Sequence, residues 1–520
     1  MAENNEKLFT RRSILFGSAA TGAVVASSII IGCEGKPGKN GLPGKPGKNA
    51  YIEENYTWDQ ETDVIIVGAG GAGLVAAIEA TNAGAAVQVY EKGSLPGGNT
   101  SFSGGVLQAS QTKYQDQFGI HNDTPEKHYQ YWIQAGEGAP DQDLIRLMAY
   151  NSKNDIEWIG SLGVNYTKIY AVDPIPYISP DLLLPRLHVA DGAGGAYTTL
   201  LKQIVQSLGV QILTSSPVNS LVYDSVKGVL GVKAQISGKE ASIKAKKAVI
   251  LACGGYDRNE EMAKAYCPQL YWDIQNGLCL ASPNNVGDGI KMGMDIGADL
   301  AGMGGTISYP SIRIGRAEGG QPIPGIWVNK YAQRFVNEAA HYGYVSRAIF
   351  DQEEHIVWAI FDEKVKQMGG AAIGGWSDDL SAEIASGLIK TAATPGDLAS
   401  AIGVNNGQLP LTLEKWNNDM ADGVDTLFNK QVGLQALDTA PYYATRVLCY
   451  NVGSCGGVRI NTQAQVLDLQ GNAIPGLYAA GMVSGGFIGP YYPGSGTAVT
   501  ATVVFGRIAG RNAAAEPSKT

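Results

Sequence analysis

The sequence has little of what metal and haem sites require. Its 520 residues include six cysteines and five histidines, and no two cysteines form a Cys-x-x-Cys pair. Zinc ribbons and Cys-x-x-Cys-His haem attachment both need such a pair, so we expect neither of these sites and no bound metal. The 48 acidic residues outnumber the 39 basic ones, and the net charge is −9. This charge argues against nucleic acid as the main partner.

The amino-terminal segment has the features of an export signal. Thr10-Arg-Arg-Ser-Ile-Leu15 is a twin-arginine signature, and the apolar run that follows is short for a membrane span. We therefore expect residues 1–33 to send the folded protein to the periplasm or the outer face of the cell membrane by the twin-arginine route. The run ends in Ile30-Ile-Gly-Cys33, which resembles a lipobox. Lipid on Cys33 would be the only membrane attachment, and simple cleavage near this point is the alternative.

Part of the glycine excess lies in a collagen-like tract. Glycine recurs every third residue from Gly35 to Gly47, among prolines and lysines. Five triplets are few for a stable triple helix, so we interpret residues 34–59 as an extended basic linker. A trimer-forming stub is the alternative.

A glycine-rich turn after a buried strand predicts a dinucleotide site. The segment 63–79 reads as four apolar strand residues, then Gly68, Gly70 and Gly73 in G-x-G-x-x-G spacing, then an Ala-rich helix. These glycines allow a tight turn, a close approach to a pyrophosphate and close helix packing. A second strand ends at Glu91, where a carboxylate can bind ribose hydroxyls. An ordinary glycine-rich turn is the alternative.

Later motifs make the resemblance specific. The loop Ser94–Gly105 resembles the flavin loop of the fumarate reductase and 3-ketosteroid dehydrogenase flavoprotein superfamily. Lys247–Tyr256, Gly287–Gly289 and Pro475–Gly481 match further motifs of that superfamily in the expected order. The resemblance implies an α/β fold with FAD as cofactor. It further implies a discontinuous Rossmann-like FAD-binding domain, residues 60–300 and 445–515, with an inserted α+β cap or catalytic domain, residues 301–444.

The resemblance also assigns the cofactor-binding residues. These are Gly68, Gly70, Gly71, Ala72, Gly73, Glu91, Lys92, Gly97, Gly98, Asn99, Thr100, Ser103, Gly104, Gly105, Val218, Cys253, Gly254, Asp288, Gly481, Gly496, Thr497 and Ala498. A helix that starts after Gly496 and points at the flavin would stabilise negative charge on the reduced ring.

The cap discriminates between two branches of the superfamily. Fumarate-type reductases carry a proton-donating arginine where this chain has Tyr342, and they carry histidines where it has the segment 452–457. Their dicarboxylate-binding R-L-G-G-N is replaced by the segment 492–496, Tyr-Pro-Gly-Ser-Gly. Without these anchors, desolvating a dianion is strongly unfavourable. The tyrosine pattern is instead similar to that of 3-ketosteroid Δ1-dehydrogenases.

Carried over from that branch, three residues are catalytic. Tyr492 and the amide of Gly496 would donate hydrogen bonds to a ketone oxygen, and Tyr342 would take the proton from the α-carbon. A second tyrosine should assist, and Tyr170 and Tyr177 are the candidates, while Tyr309 and Tyr491 are further candidates for the substrate pocket. Core packing is the alternative for each. Arg334 and Glu338 are expected to hold the cap loop.

Three functional hypotheses remain open. The first is an FAD-dependent oxidoreductase that moves hydride between flavin N5 and the C=C/CH–CH bond next to a ketone, in a ketosteroid or another enone. The second is an exported respiratory reductase of enones or α,β-unsaturated acids. Both need a separate electron-transfer partner, a quinone or a cytochrome, because no haem motif is present. The third is a surface flavin-binding or adhesive protein.

Overall fold

The computed structural model describes residues 56–311, 325–368, 377, 379–489 and 492–519. The predicted export signal, Cys33, almost all of the linker and Tyr491 lie outside these residues. None of the described helices has the length and apolar character needed to cross a membrane.

The described chain alternates strands and helices through most of its length. The strands are β1 (Gln60–Val67), β2 (Val87–Tyr90), β3 (Val106–Gln108), β4 (Tyr166–Ala171), β5 (Pro185–Ala190), β6 (Gln211–Leu213), β7 (Val218–Asp224), β8 (Gly228–Ile236), β9 (Lys239–Leu251), β10 (Leu300–Pro310), β11 (Ile326–Asn329), β12 (Val357–Asp362), β13 (Ile389–Ala392), β14 (Tyr442–Arg446), β15 (Cys449–Arg459), β16 (Gln465–Leu467), β17 (Ala473–Ala479) and β18 (Ser484–Gly485). The helices are α1 (Gly71–Asn82), α2 (Gly98–Phe102), α3 (Lys113–Gln117), α4 (Pro125–Ala135), α5 (Gln142–Ser161), α6 (Ala193–Ser207), α7 (Glu260–Tyr266), α8 (Pro268–Gln275), α9 (Asp288–Asp295), α10 (Tyr342–Phe350), α11 (Glu363–Gln367), α12 (Ser381–Ala385), α13 (Pro395–Ile402), α14 (Gln408–Ala421) and α15 (Thr497–Ala515).

A largely parallel sheet forms the centre of the molecule. Its path runs β16-β17-β9-β1-β2-β6, and β8 pairs with β9 and β7 with β8, both in antiparallel fashion. The central pairs are parallel, and Ile66 of β1 lies opposite Val89 of β2 and Ile250 of β9. All three side chains are fully buried, which is why these strands read as continuous apolar runs. The predicted α/β class is confirmed.

Two helices from opposite ends of the chain pack together against this sheet. The helix α1 is buried from Gly71 to Ala80, and its Glu79 accepts hydrogen bonds from Arg507 at 2.8 Å and Arg511 at 2.6 Å on α15. Burial and these two arginines act in opposite directions on the carboxyl, and the pKa of Glu79 is lowered overall. The pairing fixes α15, and therefore its first residues, relative to the glycine turn.

A second antiparallel sheet, in the order β11-β12-β14-β13, has its own core. Ile326, Leu398 and Trp416 are among its buried residues. A third sheet has the order β10-β15-β18. In sequence, β10 precedes the strands of the second sheet, and β15 and β18 follow them. The predicted domain boundaries at 300/301 and 444/445 fall within β10 and β14, and they remain predictions.

Candidate active site

The first glycine turn uses its glycines for different purposes. A Cβ added at Gly73 would lie 1.9 Å from the carbonyl oxygen of Gly68, so this position allows α1 to pack against the end of β1. A Cβ added at Gly70 would meet only the carbonyl oxygen of Gly97, at 3.9 Å. The backbone at Gly70 therefore faces an open space next to the turn.

That space is a groove of about 480 Å³. Fourteen of the predicted cofactor-binding residues line it: Gly68, Gly70, Gly71, Ala72, Glu91, Lys92, Gly98, Asn99, Thr100, Val218, Cys253, Gly254, Asp288 and Gly481. Sequence reasoning missed the turn before α9, which also lines the groove with Ser282, Pro283, Asn284 and Asn285. This turn has no apolar periodicity that could have identified it.

The groove suits the pyrophosphate and a ribose of a dinucleotide. The helix α1 begins at the groove with a glycine cap, no capping side chain and no acidic residue in its first turn, which suits a pyrophosphate. The Glu91 carboxylate, at the end of β2, accepts hydrogen bonds from the amides of Ala69 at 2.8 Å and Gly93 at 2.6 Å. These two bonds hold the carboxylate at the groove wall, where ribose hydroxyls would reach it.

The loop Ser94–Gly105, the predicted flavin loop, is held in place by a buried carboxylate. Asn99 donates hydrogen bonds to Asp257 at 3.1 Å and to the carbonyl oxygen of Val452 at 3.1 Å. Asp257 also accepts from Asn285 at 2.6 Å and from the amide of Ser454. Burial raises the pKa of Asp257, and these donors oppose the rise. The Asn99 side chain is thus bonded to protein groups, and its contribution to a cofactor site is to position the loop.

A second cavity, of about 380 Å³, adjoins the groove. The two share Asn99, Thr100, Phe102, Met482 and Thr502 as wall residues. Tyr309, Tyr342, Tyr492 and Gly496 all line this cavity, so the structure brings together four residues predicted from distant parts of the chain. Sequence reasoning missed its apolar walls, formed by Val106, Leu280, Ala281, Ile307, Val452, Met482 and Val499.

The two predicted catalytic tyrosines lie beside each other. Tyr342 is the first residue of α10, and its ring centroid lies 6.2 Å from that of Tyr492. The Tyr342 hydroxyl lies 3.3 Å from the Ser495 hydroxyl. The amide of Ala498, in the first turn of α15, donates a 3.0 Å hydrogen bond to the Tyr492 hydroxyl. Two phenols and a helix amino terminus therefore converge on one cavity, an arrangement that can polarise a carbonyl and exchange a proton next to it.

Buried polar side chains hold the loop that carries Tyr492. Gln108 Nε2 donates to the carbonyl oxygen of Ser495 at 3.0 Å and to Thr497 Oγ1 at 3.1 Å. Tyr131 donates to the carbonyl oxygen of Pro493 at 2.7 Å, and burial raises the pKa of Tyr131 strongly, which keeps it a neutral donor. Neither Gln108 nor Tyr131 stood out in the sequence.

The remaining predicted residues lie in other places. Ser103, Gly104 and Ala498 line the cavity, whereas Gly73, Gly97, Gly105 and Thr497 line neither the groove nor the cavity. The candidate helpers, Tyr170 and Tyr177, are also outside both sets of wall residues. Tyr170 packs against the main core from β4, and Tyr177 donates to the carbonyl oxygen of Ala135 at 3.3 Å. The helper role of Tyr170 and Tyr177 stays a prediction.

Charge is absent from the cavity wall in the part of the chain that the structure describes. Its polar groups are hydroxyls, backbone groups and the Asn99 amide, with no lysine, arginine, histidine or carboxylate side chain. The Arg334 guanidinium is instead buried within the predicted cap, residues 301–444, where it binds Glu338 and Asp425 at 2.8 Å each. This is the loop-holding position expected for Arg334 and Glu338.

Comparison with known proteins gives consistent matches. The family model described as FAD binding domain matches residues 63–499. A probable fumarate reductase of Shewanella frigidimarina is 32% identical over 467 residues, covering 88% of this chain and 75% of the relative. Digoxin reductase of Eggerthella lenta is 29% identical and covers 98% of this chain and 96% of the relative. The structure of 3-ketosteroid-Δ4-(5α)-dehydrogenase from Rhodococcus jostii with 4-androstene-3,17-dione is 27% identical, with a TM-score of 0.76 over 90% of this chain and 99% of that one.

Proposed function

The chain belongs to the FAD binding domain family, among the FAD-dependent oxidoreductases of the fumarate reductase and ketosteroid dehydrogenase superfamily, and from this premise we propose that it acts on the carbon–carbon bond next to the carbonyl of a neutral ketone. The observation that carries this proposal is the tyrosine-lined cavity, whose described wall has no charged side chain. Among the described wall residues a carboxylate substrate would lose its hydration without gaining a cationic partner, which is costly. A neutral carbonyl needs only hydrogen-bond donors.

Each residue of the site would have a separate role in the reaction. FAD, when bound, supplies the hydride donor or acceptor. The Tyr492 hydroxyl, whose oxygen accepts from Ala498, donates its own proton to the ketone oxygen, and the Gly496 amide is the second donor. Tyr342 exchanges the proton at the α-carbon, which the polarised carbonyl has made acidic. The apolar walls exclude water from these three groups.

A second candidate is an exported reductase of unsaturated acids. The similarity to a probable fumarate reductase and the twin-arginine signature support it. The Tyr342 position and the uncharged described wall count against it, because no described cationic side chain lines the cavity to meet a carboxylate. We therefore rank it below the neutral ketone.

Electron delivery and location are parts of the same proposal. Relatives named fumarate reductase (cytochrome) occur in Shewanella frigidimarina, which supports a cytochrome or quinol as electron partner. The twin-arginine signature supports export, with reduction of an enone as the direction served by such a partner. Ketone dehydrogenation uses the same residues in reverse.

The test compares neutral and anionic acceptors on one holoenzyme. Purified protein with FAD is supplied with reduced methyl viologen and either androst-4-ene-3,17-dione, cyclohex-2-en-1-one or fumarate. We expect viologen oxidation with at least one enone and none with fumarate. Turnover of fumarate without turnover of any enone would overturn the proposal in favour of the acid reductase. Absence of turnover with all three, with FAD bound, would favour a flavin-binding protein.

A further inference from the structure

Gln108 is a fully buried amide that lies behind the cavity wall. It ends β3 and lines neither the cavity nor the groove. Its Nε2 faces three oxygens, the carbonyl oxygens of Pro493 at 3.4 Å and Ser495 at 3.0 Å, and Thr497 Oγ1 at 3.1 Å. Two of these are carbonyl oxygens, which only accept hydrogen bonds, so the nitrogen end of the amide must be the end that faces them.

A buried histidine supports this orientation from the other end of the amide. His128 Nε2 lies 3.4 Å from Gln108 Oε1. Burial lowers the pKa of His128 well below its ordinary 6.5, so the imidazole is neutral and carries a single N–H. Because the amide oxygen only accepts, that N–H belongs to Nε2. The Gln108 amide therefore cannot turn over without losing hydrogen bonds at both of its ends.

The bond to Ser495 determines where the next amide points. Three successive carbonyl oxygens of the loop accept from buried side chains: Pro493 from Tyr131 at 2.7 Å, Gly494 from Thr497 at 3.0 Å and Ser495 from Gln108 at 3.0 Å. In a planar trans peptide, the carbonyl and the N–H of the following residue point in opposite directions. The N–H of Gly496 therefore points away from Gln108, and Gly496 lines the cavity.

We propose that Gln108 is a positioning residue for the reaction, and that it aims the Gly496 amide into the cavity by holding the carbonyl oxygen of the same peptide. This inference rests on the proposed function, in which that amide donates to the ketone oxygen. An amide fixed in this way needs no reorganisation when negative charge develops on the ketone oxygen. Without Gln108 the peptide can rotate, and a carbonyl oxygen that faced the ketone oxygen would repel it.

Two substitutions remove the donor and keep most of the side-chain volume. Gln108→Met has a chain of similar length and no donor. Gln108→Glu has the same shape, and its ionised carboxylate cannot donate. The second variant decides the outcome if the first does not retain FAD.

Two further variants separate positioning from a general loss of buried hydrogen bonds. Tyr131→Phe removes a buried donor from the same loop, but the Pro493 carbonyl that it frees belongs to the peptide of the Gly494 amide. The control outside the site is Asn417→Leu. The amide of Asn417, in α14, donates to the carbonyl oxygen of Leu437 at 2.9 Å and lines neither the groove nor the cavity.

Each holoenzyme is assayed in two ways. Turnover is followed with reduced methyl viologen and whichever of cyclohex-2-en-1-one and androst-4-ene-3,17-dione the wild type reduces. Binding of 4-nitrophenolate to the oxidised holoenzyme is followed by the absorbance of the phenolate. Its oxygen carries negative charge, as the enolate oxygen does, and its binding needs no hydride transfer. The ratio of flavin to protein absorbance reports the FAD content of each variant.

We expect both Gln108 variants to lower kcat by about tenfold or more and to leave KM within about twofold, because the amide acts mainly in the transition state. Both should also bind 4-nitrophenolate about tenfold more weakly. Tyr131→Phe should lower kcat by less than about threefold, since it leaves the peptide of Gly496 held. Asn417→Leu should change neither kcat nor phenolate binding.

Several results would overturn this role of Gln108. They are an unchanged kcat in its variants, a rise in KM without a fall in kcat, unchanged phenolate binding, an equal fall in kcat in Tyr131→Phe, and loss of FAD from both variants, which would make Gln108 a folding residue. All of these leave the proposed function standing. If the wild type reduces neither enone, the proposed function itself fails and the role of Gln108 fails with it.

Discussion

The amide of Ala498 donates a 3.0 Å hydrogen bond to the hydroxyl oxygen of Tyr492. Ala498 lies in the first turn of α15, whose amino terminus carries partial positive charge. A phenol oxygen that accepts from such a group becomes a better donor through its own O–H. In the proposed reaction the helix would therefore act on the substrate carbonyl through Tyr492 as well as directly.

The first prediction concerns the two phenols. Tyr342→Phe and Tyr492→Phe should each lower kcat by about 10² to 10³-fold, the usual cost of removing one transition-state donor or a general acid–base group. Tyr150→Phe is the matched control, because it removes an exposed hydroxyl that bonds Glu126 at 2.9 Å, away from the cavity. Steady-state kinetics with equal flavin content measure the effect. Full activity in both cavity variants would contradict the assignment.

The second prediction concerns the residue that starts α15. Gly496 has φ +94°, and a Cβ there would lie 2.9 Å from the amide nitrogen of Gln108. Gly471 has φ +84° with nothing within 4 Å of such a Cβ. Alanine costs about 1–2 kcal/mol of backbone strain at either site, but only Gly496→Ala adds about 1–3 kcal/mol of overpacking. Denaturant titration should show the difference, and equal losses would refute it.

The sequence alone identified the parts of the site that depend on local spacing. Gly68, Gly70 and Gly73 act within six residues of chain, so their spacing carries the information. Asn99 and Asp257 are 158 residues apart, and only the folded chain shows that their side chains are bonded. The placement of Tyr177 could not be predicted either, because no periodic pattern fixes the direction of its loop.

The third prediction separates folding from cofactor binding within one turn. Gly70→Ala should leave the Tm of the apoprotein nearly unchanged, because its Cβ meets nothing closer than 3.9 Å. It should weaken FAD binding by about tenfold or more, since this position allows close approach to the pyrophosphate. Gly73→Ala, whose Cβ would lie 1.9 Å from the Gly68 carbonyl oxygen, should instead lower the apoprotein Tm. Fluorescence titration of apoprotein with FAD gives the affinity, and the opposite pattern would reject the division.

The fourth prediction concerns the cap. Arg334 is buried and binds Glu338 and Asp425, and removing it takes both arginine bonds from Asp425 and leaves Glu338 with Lys430, 3.6 Å away, as its remaining ion pair. Arg334→Ala should therefore cost about 3–5 kcal/mol of unfolding free energy. Arg347→Ala breaks an exposed pair with Asp351 at 3.2 Å and should cost less than about 1 kcal/mol. Similar costs for the two variants would show that the cap does not depend on the buried network.

The last prediction is a pH dependence of stability that one buried carboxyl produces. Burial raises the pKa of Asp273 from its ordinary 3.8 to about 7, and the Asn451 amide, which donates to it at 3.4 Å, offsets this only in part. Between these two pKa values the folded state holds a proton that the unfolded state has lost, so the free energy of unfolding falls as pH rises from about 4 to about 7. The fall is on the order of 4 kcal/mol and is complete above that range. Asp273→Asn should lack this component, so its advantage over the wild type should grow from pH 4 to 7 in denaturant titrations. An advantage that is constant with pH would show that Asp273 is ionised throughout.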